Sequence, residues 1–360
     1  MALVMVDKEH KIDTRLQSSL LEDFQRRISE SSSSDEPFWS GRTKSWIIVD
    51  PNQANFALRS SKFNVVEHGK QFQTAARKLE IDLAALVKIF PHVPLSLNGQ
   101  EHQKQRRIFA TNLMKNVNHA LAEFRSSFGH LLREKLSCGD SFDIAGDVIF
   151  LSTLNAFSAL TGIPSNILAR AFNSEISISQ AISRPQLLNK TRLEIMNAMA
   201  QELLNHTHDD VPKVVLAVVG FEPFRSTISY LTSDELKSAK LTRLDRHAFH
   251  PKPHVSGLPY TERICIEESN IGSQIIKKGD WLTVYLGAFS GCPFVNASFG
   301  SLFFGAGAHL CLGKKFTEDA WKIVADELAR VEHGLEVISE NYKPIDFVFH
   351  NPVSLVVRAV

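Results

Sequence analysis

The chain has 360 residues, 44% hydrophobic and 22% charged, with a formal net charge of +1. That length holds one large domain or two ordinary ones. The near-neutral balance excludes the strong basic excess by which proteins hold nucleic acid. Phenylalanine is over-used, with 24 Phe against 4 Tyr and 4 Trp. It supplies aromatic bulk with no polar atom to satisfy, which suits a dry core or an apolar pocket. Cys138, Cys265, Cys292 and Cys311 form no CxxC or CxxH pair. The expectation is therefore a reducing compartment, the cytoplasm, and not a disulfide framework.

In chain order, residues 1–44 hold a charged stretch and the run SESSSSDEP, read as a partly disordered tail. The opening MALVMVDKEHKIDTRLQ lacks the h-region of a signal peptide and the ~20 apolar residues of a membrane span. Order is expected over 45–360, starting with SWIIVDPNQANFALRS, a short strand and then Asp50-Pro51 as a helix start. Helical patterns run from 73 to 175, broken at PHVPLSLNG and TGIPSN. Asp209 and Asp210 ahead of Pro212 mark another helix N-terminus. Val214 to Val219 are apolar on all sides, so this helix should lie centrally, and Gly220 and Pro223 should kink or end it. ERICIEES and WLTVYL read as strands, with a turn at KKGD. Beyond Cys311, Ala320, Ile323, Val324, Leu328 and Val331 share one helical face. The end, PIDFVFHNPVSLVVRAV, reads as two strands around a turn. The expected class is mainly α with small β-sheets.

The stretch FFGAGAHLCLGKKF, residues 303–316, places one cysteine among glycines at the mouth of a helix. A helix N-terminus carries free N–H groups and partial positive charge, which favour thiolate over thiol. Gly305, Gly307 and Gly313 let the backbone take unusual dihedrals and approach a flat ligand. N–H groups aimed at the sulfur would tune its donor strength. His309 could reach an anionic edge of the same ligand. These features describe a single thiolate offered to a large planar cofactor.

Phe304, Gly305, Gly307, His309, Cys311 and Gly313 match FGxGxHxCxG, and the loop resembles the haem-binding loop of the cytochrome P450 family. The resemblance implies that Cys311 is the axial thiolate ligand of the iron of haem b, with Phe304 beside the sulfur and His309 on a propionate. GQEHQKQRRIF is similar to the family's C-helix segment, where His102 and Arg106 take the places of a propionate-binding HxxxR pair. They lie one helical turn apart and so point the same way. Arg263 sits where the family places an arginine against a propionate. SWIIVDPNQANFALRSSKF and SALTGIP resemble the opening strand and helix and the close of the E helix. The resemblance spans roughly 45–360 and implies one haem-thiolate domain with the cytochrome P450 fold. It further implies a small organic substrate, free or carrier-held, and a separate ferredoxin-type electron donor.

Three departures bear on the reaction. VGFEPF aligns with the family's [AG]Gx[DE]T, keeping Gly220 and Glu222 but placing Pro223 where the Thr belongs. Proline has no hydroxyl and frees a helix carbonyl, so the usual proton relay is in doubt. Glu222, Pro223 and Thr227 are the candidate catalytic positions, with Thr227 or Ser226 as substitute hydroxyls and Phe221 and Glu222 facing the pocket. Arg225 is either a substrate-carboxylate anchor or an ordinary salt-bridged arginine. The ExxR pair of the K helix is missing: one alignment puts Pro251 and His254 there, the other Arg243 and Arg246. Finally, only 55 residues separate Pro164 from Gly220, which shortens the F/G roof over the pocket. The open readings are a monooxygenase, a peroxide-dependent enzyme, an isomerase or dehydratase using no dioxygen, and a non-catalytic haem-binding member.

Overall fold

The computed structural model describes residues 36–41, 43–172, 176–182, 189–254, 257–258, 260–286, 302–342, 349 and 352–360. Most of the expected tail, SESSSSDEP included up to residue 35, lies outside them. Strand β1 (Phe38–Ser40) pairs antiparallel with β2 (Ser45–Ile48), Phe38 opposite Ile47. The sheet therefore begins ahead of the boundary expected at Ser45. Asp50 then starts α1 (Pro51–Arg59) as anticipated: its Oδ1 accepts the Gln53 N–H at 2.9 Å, and Pro51 needs no partner in the first turn.

The helical body follows in order: β3 (Phe63–Asn64), α2 (His68–Leu79), α3 (Ala84–Ile89) and the 39-residue α4 (Gly99–Ser137). PHVPLSLNG breaks the pattern where expected, as two 3-10 turns at Phe90–His92 and Pro94–Ser96. After β4 (Phe142–Asp143), a π-helical stretch at Ile144–Phe150 leads into α5 (Leu151–Thr161), which ends at Gly162 in the left-handed region. There TGIPSN supplies the residue that can turn without a Cβ clash. The short interval before the central helix holds only the eight-residue α6 (Ser165–Phe172) and the seventeen-residue α7 (Lys190–His206), with a 3-10 turn at Ile178–Ile182.

Helix α8 (Val211–Ala239) is the axis of the core. Val214 to Val219 are all buried, at 0–9% exposure. Pro223 does not end it; the helix continues sixteen residues to Ala239. An aromatic layer encloses the proline turn: Phe221 stacks on Phe172 at 4.3 Å, and Phe224 packs on Phe316 at 4.8 Å and Phe124 at 5.4 Å. Tertiary packing thus outweighs the local cost of the missing N–H. Gly220 is needed for closeness, since a Cβ there would meet Phe157 Cε1 of α5 at 3.0 Å. Much of the phenylalanine excess is accounted for by this layer.

Ile144–Thr161 and Val211–Ala239 are each long and apolar enough to cross a membrane, but 67% and 89% of their most apolar windows is buried inside the protein. Both read as core helices.

Strands β5 (Tyr260–Cys265), β6 (Ser269–Ile271), β7 (Gln274–Ile276) and β8 (Trp281–Tyr285) bear out the β-rich reading of this region. The main sheet has the order β1-β2-β8-β5-β3, with β2 and β8 parallel and the other pairs antiparallel. The KKGD turn is fixed by Asp280, whose Oδ2 accepts from Lys277 N and from Trp46 Nε1, both at 3.0 Å. Helix α9 (Lys314–Leu328) buries Ala320, Ile323, Val324 and Leu328 as its pattern requires. β10 (Pro352–Ala359) pairs with β9 (Leu335–Tyr342) and β4 in a second sheet. Of the two terminal strands expected in PIDFVFHNPVSLVVRAV, β10 is one; 343–348 and 350–351 lie outside the described residues. Between Ala239 and Tyr260 the described residues form no α-helix, only a 3-10 turn at Leu244–Arg246.

Candidate cofactor site

The cysteine loop is built by two left-handed glycines. Gly305 (φ +73°) and Gly307 (φ +67°) fold it back, with Gly305 N–H donating to Leu302 O and Cys311 N–H to Phe304 O, each at 2.8 Å. Those bonds set Cys311 immediately before α9. The tightness at Gly307 comes from the protein: a Cβ would lie 3.0 Å from Leu58 O and 3.2 Å from Arg59 Cα. This glycine seats the loop on the end of α1, where the sequence suggested an approach to a ligand. At Gly313 a Cβ would meet only Cys311 Sγ, at 3.7 Å. Phe304 is half-buried, with Lys314 Nζ 5.8 Å from its ring centre.

The expected N–H groups do reach the sulfur. Gly313 and Lys314 donate to Cys311, and Arg106 adds positive charge, all favouring thiolate. Burial works the other way and wins, pushing the Cys311 thiol up from its ordinary value. The residue nevertheless has open surface. Enclosure of the thiol by surrounding protein thus outweighs the helix-terminus preference for thiolate.

Near Cys311 the fold gathers the four predicted basic residues from three distant segments. His102 and Arg106 come from α4, Arg263 from β5 and His309 from the loop. The His102 and His309 rings lie 4.0 Å apart with planes at 35°. Arg106 Nη2 donates to Leu310 O at 2.5 Å, tying α4 to the loop. Arg263 is 4% exposed and donates only to Glu262 O at 2.7 Å and Thr261 Oγ1 at 3.3 Å. Among the described residues, none of the four has a carboxylate in ion-pair range. Burial disfavours the charged form in every one. Burial pushes Arg263 down to about 10. His309 is pushed down to about 3 by burial, then by Arg263, His102 and Arg106. Burial and Arg106 lower His102, and burial lowers Arg106 against the pull of Cys311. The Nε2 atom of His102 is buried with no hydrogen-bond partner. A buried guanidinium with no acid partner, Arg263, and an orphaned ring nitrogen are costly unless an anion completes them. A ligand with anionic arms and a thiophilic centre fits this set.

The helix residues predicted to be catalytic have different surroundings. Glu222 and Arg225 are 2% and 8% exposed and hydrogen-bonded to each other, with Arg225 5.2 Å from the Phe150 ring centre. Arg225 is thus the salt-bridged alternative. Thr227 Oγ1 accepts the Gly257 N–H at 3.2 Å. Gly257 lies flush on α8, where a Cβ would come within 2.3 Å of Ser226 Cβ. The Thr227 oxygen therefore helps to hold that loop as an acceptor. Phe221 is fully buried in the aromatic layer and does not face a pocket. From Val214 to Ser233 only Gly220 and Pro223, three residues apart on one face, escape full burial. Glu222, Pro223 and Thr227 share no hydrogen bond, ion pair or ring contact with the cysteine loop among the described residues.

Both alternatives for the ExxR pair lie, among the described residues, in a segment without an α-helix. Arg243 pairs locally with Asp245 at 2.9 and 3.0 Å. His254, the other candidate, bonds Asp234 and belongs to a histidine centre around Glu235 that the sequence reading missed. Its only linear trace is the spacing of His247, His250 and His254.

No family model matches this sequence, and no curated protein matches it. Solved structures do. The chain is similar to P450BioI in complex with hexadec-9Z-enoic acid ligated acyl carrier protein, at TM-score 0.72 and 16% identity, covering 98% of this chain and 100% of that one. It is similar to epothilone D-bound cytochrome P450epoK, at TM-score 0.73 and 16% identity over 98% and 99%. A thermophilic cytochrome P450 from Sulfolobus tokodaii matches at TM-score 0.66 and 17% identity over 94% and 99%. The chain therefore has the cytochrome P450 fold over nearly its whole length.

Proposed function

We propose that this protein is a haem-thiolate oxidoreductase of the monooxygenase type, in which Cys311 ligates the iron of haem b. The observation that carries the reading is Cys311 beside two arginines and two histidines that, among the described residues, have no acid partner. His102, Arg106, Arg263 and His309 would hold the two propionates by charge-assisted hydrogen bonds. Phe304 would pack beside the sulfur, and Gly305, Gly307 and Gly313 would shape its loop. When bound, a thiolate-ligated haem supplies the electron push that favours O–O cleavage. The chain's own part is to hold and tune that ligand. Gly313 and Lys314 N–H groups temper the negative charge on the sulfur, and Arg106 locks the loop through Leu310.

The substrate would be a small, mostly apolar molecule entering beside the Gly220–Pro223 strip under a short roof. Such a roof also suits a carrier-held substrate, as in the P450BioI complex. A ferredoxin-type donor would supply electrons in the cytoplasm. Pro223 favours a second reading. With no hydroxyl at that position and Thr227 engaged by Gly257, a peroxide-dependent reaction, or an isomerisation or dehydration, needs no relay there. Glu222 is then held by Arg225 and not free to pass protons. A non-catalytic haem-binding protein is the limiting case.

Haem titration of the full chain tests the assignment: Cys311→Ala and His102→Ala should each weaken haem retention. Turnover should then be assayed with reduced ferredoxin and dioxygen, with peroxide, and with substrate alone. Product in the first condition only supports the monooxygenase; product in the others supports the second reading. No product in any condition leaves the binding role.

A further inference from the structure

The region where the K helix was expected contains a second centre, chemically opposite to the first. Glu235, near the end of α8, is completely buried. Its carboxylate accepts from His250 N–H at 3.0 Å and His250 Nδ1 at 2.5 Å through Oε1, and from His247 Nε2 at 2.8 Å through Oε2. His254 lies alongside, its ring 4.0 Å from that of His250. Its Nε2 bonds Asp234 Oδ2 at 2.8 Å. An ionised carboxylate only accepts, so Nε2 carries the hydrogen. In a neutral ring Nδ1 is then a bare lone pair. That atom is buried, has no hydrogen-bond partner, and faces Glu235 Oε1 at 3.9 Å. Two acceptors 3.9 Å apart in a buried place repel unless a positive centre, a proton or a metal ion, lies between them.

We infer that Glu235, His250 and His254 form a binding site for a divalent zinc-class ion. The three ligand atoms lie within 4.8 Å of one another. Zinc holds nitrogen and oxygen ligands at about 2.0–2.2 Å, so tetrahedral ligand atoms stand roughly 3.3 Å apart. His254 Nδ1 and Glu235 Oε1 would move together slightly, and His250 Nδ1 would move away by less than about 1 Å. Asp234 on the far nitrogen of His254 is the carboxylate–histidine–metal arrangement that orients ligating imidazoles. His247 remains on the second Glu235 oxygen. Trp321 Nε1 donates to His250 O at 2.9 Å, fixing the backbone of that ligand from α9. On binding the ion His250 would give up its Nδ1 hydrogen and carry one on Nε2, which its 54% exposure lets face solvent, and a water would complete the fourth position. The ion would pin the 247–254 segment to α8 and α9.

The site is independent of the haem assignment. Zinc affinity of the full chain, with and without haem, is measured by competition with a chromophoric chelator and by zinc K-edge absorption. The expected result is one zinc per chain, with nitrogen and oxygen donors only. It should survive Cys311→Ala, and His250→Ala and His254→Ala should each weaken it about tenfold or more. Because the His250 side chain is half exposed, His250→Ala should keep its fold, checked by circular dichroism, and zinc should raise Tm in the parent but not in this variant. Failure to bind one equivalent would overturn the proposal, as would sulfur in the shell or parental affinity in both histidine variants. A proton on His254 would satisfy the same pair, and it predicts the first of those failures.

Discussion

Two histidine pairs in this protein have the same ring geometry, His102 with His309 and His250 with His254, each at 4.0 Å with planes at 35°. Each also leaves one ring nitrogen buried and unbonded, Nε2 of His102 and Nδ1 of His254. Their surroundings are opposite. The first pair stands among arginines without an acid; the second stands on the buried acid Glu235. Ring geometry therefore does not determine what a histidine pair binds. The charges that the fold brings around it differ, and they suit the first pair to an anionic group and the second to a cation.

The sharpest way to break this contrast is to neutralise each centre and compare stability. In zinc-free protein, Glu235→Gln replaces an acceptor of three N–H groups with an amide that also donates. Leaving buried donors unsatisfied should cost about 3 kcal/mol, read as a drop in Tm. Arg263→Met keeps the volume but removes a buried charge with no acid partner. The haem-free protein should be no less stable, while haem affinity falls about ten- to hundredfold by titration. Equal destabilisation by the two variants would erase the distinction.

A paired acid outside both centres provides the small end of the scale. Burial opposes the ionisation of Glu340, but its bonds to Lys237, Ser233 and Tyr342 outweigh it and hold the carboxyl below its ordinary value. A lowered carboxylate stabilises above its unfolded pKa, and that contribution disappears as the pH falls through the folded value. Glu340→Gln should therefore remove a stability increment, below about 1 kcal/mol, that the parent loses only in acid. Denaturant melts at neutral pH and at about pH 3 separate the two.

Local signals made the cysteine loop legible. Its glycines, the cysteine and the helix that follows are consecutive, so their geometry follows from neighbouring residues. Arg263 was placed only through the family resemblance, because its approach to His309 depends on β5 pairing with β8. Pro223 misled about helix continuity because an aromatic layer drawn from α4, α6 and α9 supports the turn. β1 was missed because three residues form a strand only when β2 supplies a partner. The Glu235 centre was invisible for a similar reason: its acids end a helix, its histidines occupy an irregular segment, and no periodicity joins them. Glycine 307 shows the reverse error, since its conformation was foreseen but its neighbour, the end of α1, was not.

The central claim is that Cys311 is a haem ligand in a site completed by the cofactor's anions. The most direct measurement is the carbon monoxide difference spectrum of the reduced, haem-loaded protein, alongside Cys311→Ala. The account predicts a Soret shift characteristic of thiolate ligation that disappears in the variant. No such shift in the parent, or the same shift without the Cys311 sulfur, would contradict it.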